Sequence, residues 1–245
     1  MNKQIFKYIF LSLGVAVVLG YLVFSQLQFR LNGNEIKCKH LDIQLEGGIQ
    51  LITEKEVNDI LKNYDLHPIG VSLDRLKIDR IEGVLENNPL VKQAVCYHTP
   101  KGDVTVKVML RNPKFLVNAA ESYYVDDEKQ VLPVPLHVIA YVPVVTGRVT
   151  KSMATGKLYD FVDYVTKDKF WNAQIDQIHV RNDLKVELVP RVGEAIILLG
   201  RLNNYEEKLN RVFRLYQQAF KSMGWNRYEQ LDVQYDNQIV ATRID

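Results

Sequence analysis

An uncharged run of 22 residues, Tyr8–Phe29, lies between Lys7 and Arg30. As a helix with 1.5 Å of rise per residue this run would be about 33 Å long, enough to cross a hydrocarbon core of about 30 Å. A cleaved signal peptide is the alternative, but its apolar region is usually shorter and ends in small residues. This run ends in large residues, which favours an uncleaved transmembrane helix at residues 8–29. Its apolar side chains include Tyr8, Phe10, Leu11, Leu13, Val17, Leu19, Leu22 and Phe24.

Charges beside the run predict its orientation. Lys3 and Lys7 favour a short cytoplasmic tail at residues 1–7, although Arg30 and two later lysines compete from the other side. No second apolar span follows, so we expect a single-pass membrane protein whose bulk lies outside the cytoplasm. Residues 30–40 would link the membrane helix to the first folded module.

Composition and cysteine spacing argue against two classes of function. The net charge is +2 and no lysine or arginine cluster exceeds ordinary surface density, so nothing indicates nucleic-acid binding. Cys38 and Cys96 lie 58 residues apart, without metal-ligand spacing or a CxxC motif. They could pair in an oxidising compartment, but we favour an unpaired, buried Cys96 and a partly exposed Cys38.

Residues 41–112 show the pattern of a small α+β module. Apolar and polar residues alternate in the first strand, and Thr53 with Glu56 forms the sequence pattern of a helix capping box. The predicted elements are a strand at 41–45, a helix from Thr53, a helix from Ser72 to Asn87, and a hairpin of strands at 90–97 and 104–110. Two helices can bury one face of such a three-stranded sheet.

Residues 113–245 are predicted to form a second domain rich in β-sheet. The acidic run Asp126–Glu128 could suggest a metal or a general acid, but Asp residues more often stabilise turns, so we interpret it as a hairpin turn. The predicted later elements are a helix around 158–165, strands at 175–180, 184–189 and 195–199, a long helix at 203–223, and strands at 231–235 and 238–241. For the long helix, Asn203 is the predicted cap, Glu206 its capping-box partner and Gly224 the terminator.

Motifs for catalysis are missing from the sequence. The five histidines, at 40, 67, 98, 137 and 179, are scattered singly, and there is no HExxH, GxSxG or SxxK motif. Thr155-Gly156-Lys157 lacks the upstream glycine and the following Ser/Thr of a phosphate loop. We therefore expect no enzyme activity, metal, cofactor or small-molecule ligand. A carboxylate pair for glycoside hydrolysis stays open, because such partners meet only in the fold.

The order of several short motifs resembles a known family. They are Gly70-Val71-Ser72-Leu73, Ile78-Asp79, Asn88-Pro89-Leu90-Val91-Lys92-Gln93-Ala94-Val95, Pro100-Lys101-Gly102-Asp103-Val104, Val106-Lys107-Val108 and Leu110-Arg111-Asn112-Pro113. In this order, behind one membrane helix, they resemble the POTRA domain of FtsQ/DivIB, a bacterial cell-division protein. The resemblance extends over the β-rich domain, with two departures: Lys129 stands where the family often has glycine, and Gln234 where it often has arginine.

The resemblance implies a POTRA domain at 41–112 and an FtsQ-type β-domain at 113–245. It further implies a scaffold of the division machinery in the bacterial cytoplasmic (inner) membrane, at the division septum. Its expected partners are FtsB/DivIC and FtsL, other division proteins near the POTRA module, and membrane lipid around the anchor. The expected binding edge is the last strand, with residues Tyr235, Asp236, Asn237, Ile239, Val240, Ala241, Thr242 and Arg243.

Three alternatives stay open at this point. A membrane-anchored envelope enzyme acting on peptidoglycan would need a deep pocket with two converging carboxylates, or a nucleophile beside a base. A POTRA-bearing secretion or transport component would normally bring further POTRA repeats or barrel strands, which the sequence lacks. Tyr235 could instead be an interior aromatic residue packed on the long helix.

Overall fold

The computed structural model of this protein describes residues 16–25, 36–220, 224–225 and 227–244, without the side chains of residues 219 and 220. Contacts divide the chain into two compact units. One unit comprises Met1–Asp42, Pro68–Lys77 and Tyr97–Val104, and the other Ile43–His67, Ile78–Cys96 and Thr105–Asp245. The domain boundaries expected from the sequence stay a prediction.

The first described helix, α1, spans residues 16–25 and lies within the predicted membrane span. Four of the predicted anchor side chains lie in α1 and are more than half exposed: Val17, Leu19, Leu22 and Phe24. The other four, Tyr8, Phe10, Leu11 and Leu13, lie outside the described residues, as do the predicted tail and most of the linker. Among the residues that the structure describes, no helix combines the length and the apolar character needed to cross a membrane.

Five elements then follow in the predicted order of strand, helix, helix, strand, strand. They are β1 (His40–Glu46), α2 (Glu54–Asn63), α3 (Ile78–Glu86), β2 (Val91–His98) and β3 (Asp103–Leu110), with the sheet order β1-β3-β2. The capping box of α2 is confirmed, because the Thr53 hydroxyl accepts from the Glu56 N–H at 3.2 Å and the Glu56 carboxylate accepts from the Thr53 N–H at 2.8 Å. The apolar face of α2 buries Val57 and Leu61.

The predicted helix from Ser72 is wrong in its first part. Only a 3₁₀ turn forms at Leu73–Arg75, Leu76 is extended with ψ 127°, and α3 begins at Ile78. The cause is a long-range pairing that spacing along the chain does not reveal. The Leu73 N–H donates to the Ile36 carbonyl at 2.9 Å, which holds this part of the backbone beside residues 36–38 instead of in a helix.

The expectation of a partly exposed Cys38 is also wrong, because Cys38 is 2% exposed. Its backbone is bound on both sides, with the N–H donating to the Val71 carbonyl at 2.8 Å and the carbonyl accepting from the Gly70 N–H at 2.9 Å. Burial raises the pKa of the Cys38 thiol. Cys96 is buried as expected, and no disulfide joins the two residues.

The remaining strands form one nine-stranded mixed sheet. They are β4 (Pro113–Asn118), β5 (Tyr123–Asp126), β6 (Val131–Pro133), β7 (Val144–Gly147), β8 (Ile175–Val180), β9 (Val186–Pro190), β10 (Ile196–Gly200), β11 (Tyr228–Asp232) and β12 (Val240–Arg243). Their order in the sheet is β12-β11-β10-β9-β8-β7-β4-β5-β6. The pairs β4/β7, β7/β8 and β10/β11 are parallel, and the others are antiparallel.

Helices pack on one face of this sheet. They are α4 (Lys151–Ala154), α5 (Lys157–Lys167), α6 (Lys169–Gln174) and α7 (Tyr205–Leu215), and α7 continues as a π-helical turn at Tyr216–Phe220. Alternate strand residues such as Ile178, Leu188 and Leu231 join one core cluster with the buried stripes of α5 and α7. The predicted stripe of α5, at Leu158, Phe161, Val162 and Val165, is entirely buried.

The predicted cap of α7 is wrong. Helix α7 begins at Tyr205, and the preceding Asn204 is left-handed with φ 49° and makes no side-chain cap. The Asn203 side-chain oxygen is used elsewhere, since it accepts from the Lys208 ammonium at 3.2 Å. Residues 221–223, which the prediction placed in the same helix, lie outside the described residues.

The acidic run forms the predicted hairpin turn between β5 and β6. The buried Asp126 carboxylate accepts from the backbone N–H groups of Glu128 at 2.9 Å and Gln130 at 2.7 Å. Lys129 has φ 63°, a left-handed conformation that glycine adopts without steric cost, so the departure from the family pattern falls at a strained position.

Candidate partner-binding edge

Strand β12 is the outermost strand at one end of the nine-stranded sheet. Among the described residues it pairs with β11 alone, and all four of its residues are exposed. An edge strand presents backbone donors and acceptors that another chain can pair with. The structure therefore places Val240, Ala241, Thr242 and Arg243 together on an open edge.

The register indicates which backbone groups point outward. The Val233 N–H donates to the Leu198 carbonyl of β10 at 3.1 Å, so the backbone of Leu231, two residues earlier, points toward β10 as well. Gln230 and Asp232 then point toward β12, where they are paired with Thr242 and Val240. The backbone groups of Val240 and Thr242 therefore point toward β11. Ala241 lies between Val240 and Thr242 in the chain, so its N–H and C=O point away from the sheet.

The turn before β12 presents the other predicted residues. Tyr235 is 54% exposed, which excludes the alternative of an interior aromatic residue packed on α7. Asp236 and Asn237 are exposed, and Asn237 is left-handed with φ 61°, a conformation that asparagine tolerates better than most residues. Ile239 differs from the rest of this group, because its side chain packs against the core cluster.

Three apolar side chains lie exposed in or beside this edge. Tyr235 is 54%, Val240 47% and Ile244 42% exposed. The Ile244 N–H donates to the Arg227 carbonyl at 3.1 Å, so the backbone stays attached to the β11 side beyond the end of β12. An exposed apolar group next to unused backbone partners is the combination that strand addition requires.

A buried lysine supports the edge from behind. Lys208 on α7 is 6% exposed, and its ammonium donates to the carbonyls of Leu199 at 3.1 Å and Arg201 at 3.0 Å as well as to Asn203. Burial lowers the pKa of Lys208, and the neighbouring Arg211 lowers it further. Lys208 thus fixes the end of β10, the strand that pairs with β11.

Two further contacts tie α7 and β10 to the segment that follows β11. The Arg211 guanidinium donates to the Val233 carbonyl at 3.0 Å. Gln234 packs over Gly200, where a Cβ atom would come within 2.5 Å of the Gln234 Cγ. Gln234, the residue found in place of the family's arginine, therefore packs on the strand next to β11.

The sequence predicted the last strand as the candidate edge but did not reveal the residues that support it. The signal for Lys208 was present, since Lys208 lies four residues before Val212 on the apolar stripe of α7. A charge in the middle of such a stripe has to be bonded inside the fold. The contact between Gly200 and Gln234 joins residues of different elements and had no such signal.

The His, Cys, Asp and Glu side chains and the cavities of the described residues bear on whether a catalytic or metal site exists. No group of three or more His, Cys, Asp or Glu side chains in this part of the chain could hold a metal ion. One cavity is lined by two carboxylates, Glu56 and Asp59, but Glu56 caps its own helix. Another, of about 560 Å³, is lined by Arg148, His179 and Arg181, with Asp183 as its acidic residue.

The fold and the edge together define an α+β protein in which a strand-helix-helix-strand-strand module precedes a mixed sheet with an exposed edge strand. Residues 36–109 match the POTRA-like domain, and residues 112–242 match the family described as FtsQ/DivIB, C-terminal related. The chain belongs to this FtsQ/DivIB family, since the second match covers more than half of its length. The family consists of non-enzymatic cell-division proteins, and its domains support a cell-division scaffold role. No curated protein gives a significant match to the chain.

Proposed function

We propose that this protein is a membrane-anchored scaffold of the bacterial division machinery that captures a strand of a partner protein on β12. The observation that supports this proposal is the exposed strand Val240–Arg243 at the end of the sheet, with the backbone of Ala241 pointing outward. The partners are FtsB/DivIC together with FtsL, and capture links them to septal peptidoglycan synthesis.

Strand addition divides affinity and specificity between different groups. Backbone hydrogen bonds to Ala241 supply affinity that does not depend on the partner's sequence. The exposed side chains of Tyr235 and Val240 then select the partner by apolar contact, because they are about half exposed before binding. Asp236, Asn237 and Arg243 add polar contacts at the two ends of the edge.

The membrane helix completes the proposal. The uncharged run Tyr8–Phe29 holds the protein in the cytoplasmic membrane with residues 1–7 inside, and the folded modules lie outside. The POTRA module follows the membrane helix along the chain and docks other division proteins. The whole assembly gathers at the division septum.

The first test uses the full-length chain with one proline substitution. Ala241→Pro removes a donor that points outward and breaks no ladder bond to β11, and proline is tolerated at such edge positions. Ala241→Ser is the matched control, because it keeps the donor at the same exposed site. Capture of purified FtsB/DivIC with FtsL is expected to weaken about tenfold or more with proline and to stay unchanged with serine.

Ala241 is a sharper target than Ile239, whose side chain packs against the core. Thermal unfolding of both variants establishes that they are folded. Full capture by a folded Ala241→Pro variant would show that β12 is not the binding edge. Cleavage of peptidoglycan fragments by the wild type, without capture of any division protein, would favour the envelope enzyme instead. Capture of a secretion component alone would favour the transport reading.

A further inference from the structure

The loop between β6 and β7 exposes three large apolar side chains. Leu136 is 105%, Ile139 84% and Tyr141 92% exposed, the highest values for large apolar residues in the described part of the chain. The loop is nevertheless attached, because Ala140 is buried and its N–H donates to the Tyr124 hydroxyl at 3.0 Å. Three such side chains within residues 136–141 differ from the scattered single apolar residues of an ordinary surface, which favours an interaction site.

A cavity of about 410 Å³ is lined in part by Leu136, one of these three side chains. The loop contributes Pro135, Leu136 and His137 to its wall, and helix α2 contributes Ile60. Leu51 and Ile52, which precede α2, contribute apolar side chains to the cavity lining and are themselves buried. The volume falls within the range of about 300–1,000 Å³ that ligand clefts occupy. The exposed loop thus forms part of the wall of this cavity, whose lining is partly apolar.

The charges around the cavity have one sign. Glu56 and Asp59 line it, and neither lysine nor arginine is among its described lining residues. The His137 imidazole lies 3.4 Å from the Glu56 carboxylate. Asp59 is exposed at the same side of α2. A ligand that carries positive charge complements this surface.

We propose that the β6–β7 loop and this cavity form a second docking site, which binds a basic amphipathic segment of a partner protein. Apolar side chains of that segment fill the cavity and cover Leu136, Ile139 and Tyr141, while its lysine or arginine residues face Glu56 and Asp59. This mode of recognition, an amphipathic segment laid on an apolar surface, recurs in many complexes. The site is separate from β12, because β6 and β12 are opposite ends of the sheet order.

A membrane surface is the other class of partner for an exposed apolar loop. The carboxylates of Glu56 and Asp59 would be repelled by anionic headgroups, and lipid does not need a shaped hollow beside the loop. Both observations favour a protein segment over a bilayer.

The test uses the full-length chain and a fluorescent amphipathic peptide of leucine and lysine. A peptide with the same leucine pattern and glutamate for lysine is the comparison. The lysine peptide is expected to bind about tenfold or more tightly than the glutamate peptide, and the triple variant Leu136→Ser/Ile139→Ser/Tyr141→Ser to lose about tenfold in affinity. Asp59→Asn is expected to weaken binding by a few fold. Val192→Ser, at an apolar residue 53% exposed outside the loop, is the control and should bind as the wild type does.

Three results would overturn the proposal. Equal binding of the two peptides would remove the role of charge, and unchanged binding by the triple variant would remove the role of the loop. The single variant Ile139→Ser repeats the second measurement if the triple variant does not fold. Lipid contact is measured with an Ile139→Trp variant in phosphatidylcholine vesicles. If brominated lipid quenches the tryptophan fluorescence of this variant more strongly than that of the parent chain, the loop belongs to the membrane surface instead.

Discussion

The Arg111 guanidinium lies 2.9 Å from the carboxylate of Asp126, a side chain with no exposed surface. The other carboxylate oxygen of Asp126 accepts the N–H groups of Glu128 and Gln130. The pair joins the residue that follows β3 to the hairpin β5–β6. The acid that the sequence assigned to a turn therefore also bonds a cation outside that turn.

Removal of Arg111 should be strongly destabilising. Arg111→Ala leaves the Asp126 carboxylate buried without its cation, and we expect a loss of about 3 kcal/mol in the free energy of unfolding. The measurement is chemical denaturation. Lys92→Ala is the control, since it removes an exposed ion pair with Glu128 and should have a much smaller effect. Equal losses in the two variants would contradict the assigned role of the buried pair.

Leu184→Gly should stabilise the hairpin β8–β9. Leu184 has φ 62° and is 49% exposed, so its side chain adds strain without filling the core. Removing the strain of a leucine in the left-handed conformation stabilises the folded state by about 1–2 kcal/mol. The higher entropy of glycine in the unfolded chain opposes this gain by up to about 1 kcal/mol. We expect a net rise of about 0.5–1 kcal/mol in a denaturation experiment. Val192→Gly, at a residue without positive φ, should lower stability; a loss at both positions would argue against strain at Leu184.

Asp163 should make stability depend on pH in the acid range. The Lys114 ammonium at 2.7 Å, and then that of Lys167 at 2.6 Å, hold the pKa of Asp163 below its ordinary value. A carboxyl with a depressed folded-state pKa stabilises the fold above its unfolded pKa of about 3.9 and loses this contribution as pH falls through the folded value.

We therefore expect the stability difference between wild type and Asp163→Asn to be constant above about pH 5 and to shrink below about pH 4. Denaturation curves at several pH values measure it. A difference that grows toward acid pH would have the wrong sign for this pair.

Lys208→Met should loosen the support of the edge. The variant keeps the apolar stem but leaves the Leu199 and Arg201 carbonyls without the ammonium, and we expect a loss of about 1–3 kcal/mol. Arg214→Met on the exposed side of α7 is the control and should change stability little. Amide exchange of β11 should accelerate in the first variant and stay unchanged in the second. Unaltered exchange in Lys208→Met would show that α7 supports the strand without this lysine.

Local signals predicted the elements whose causes are local. The capping box at Thr53 and the stripe of α5 depend on spacings of three and four residues, and both are confirmed. The helix expected from Ser72 failed because residues 36–38 bind that backbone from far away in sequence. The cap expected at Asn203 failed because a buried ammonium competes for the same side-chain oxygen.

The candidate edge was predictable only in part. The short apolar run Ile239–Ala241 indicates a strand, and the family resemblance indicates that it is an edge. The structure shifts the strand predicted at 238–241 by two residues, to Val240–Arg243, and the side chain of Ile239 packs against the core. No sequence pattern predicts the direction of the Ala241 backbone, because it depends on the parallel register of β10 and β11. The exposure of the β6–β7 loop was likewise not predictable, because its sequence is that of an ordinary apolar segment and only the fold determines that it is exposed.

The position of β12 beside β11 also has a mechanical consequence. The hydrogen bonds of an antiparallel ladder lie perpendicular to the strands, so a pull along a strand added to β12 stretches all of its bonds together instead of opening them one by one. The load then passes from β12 to β11 and on to β10, whose end Lys208 fixes. A joint loaded in shear resists sudden detachment.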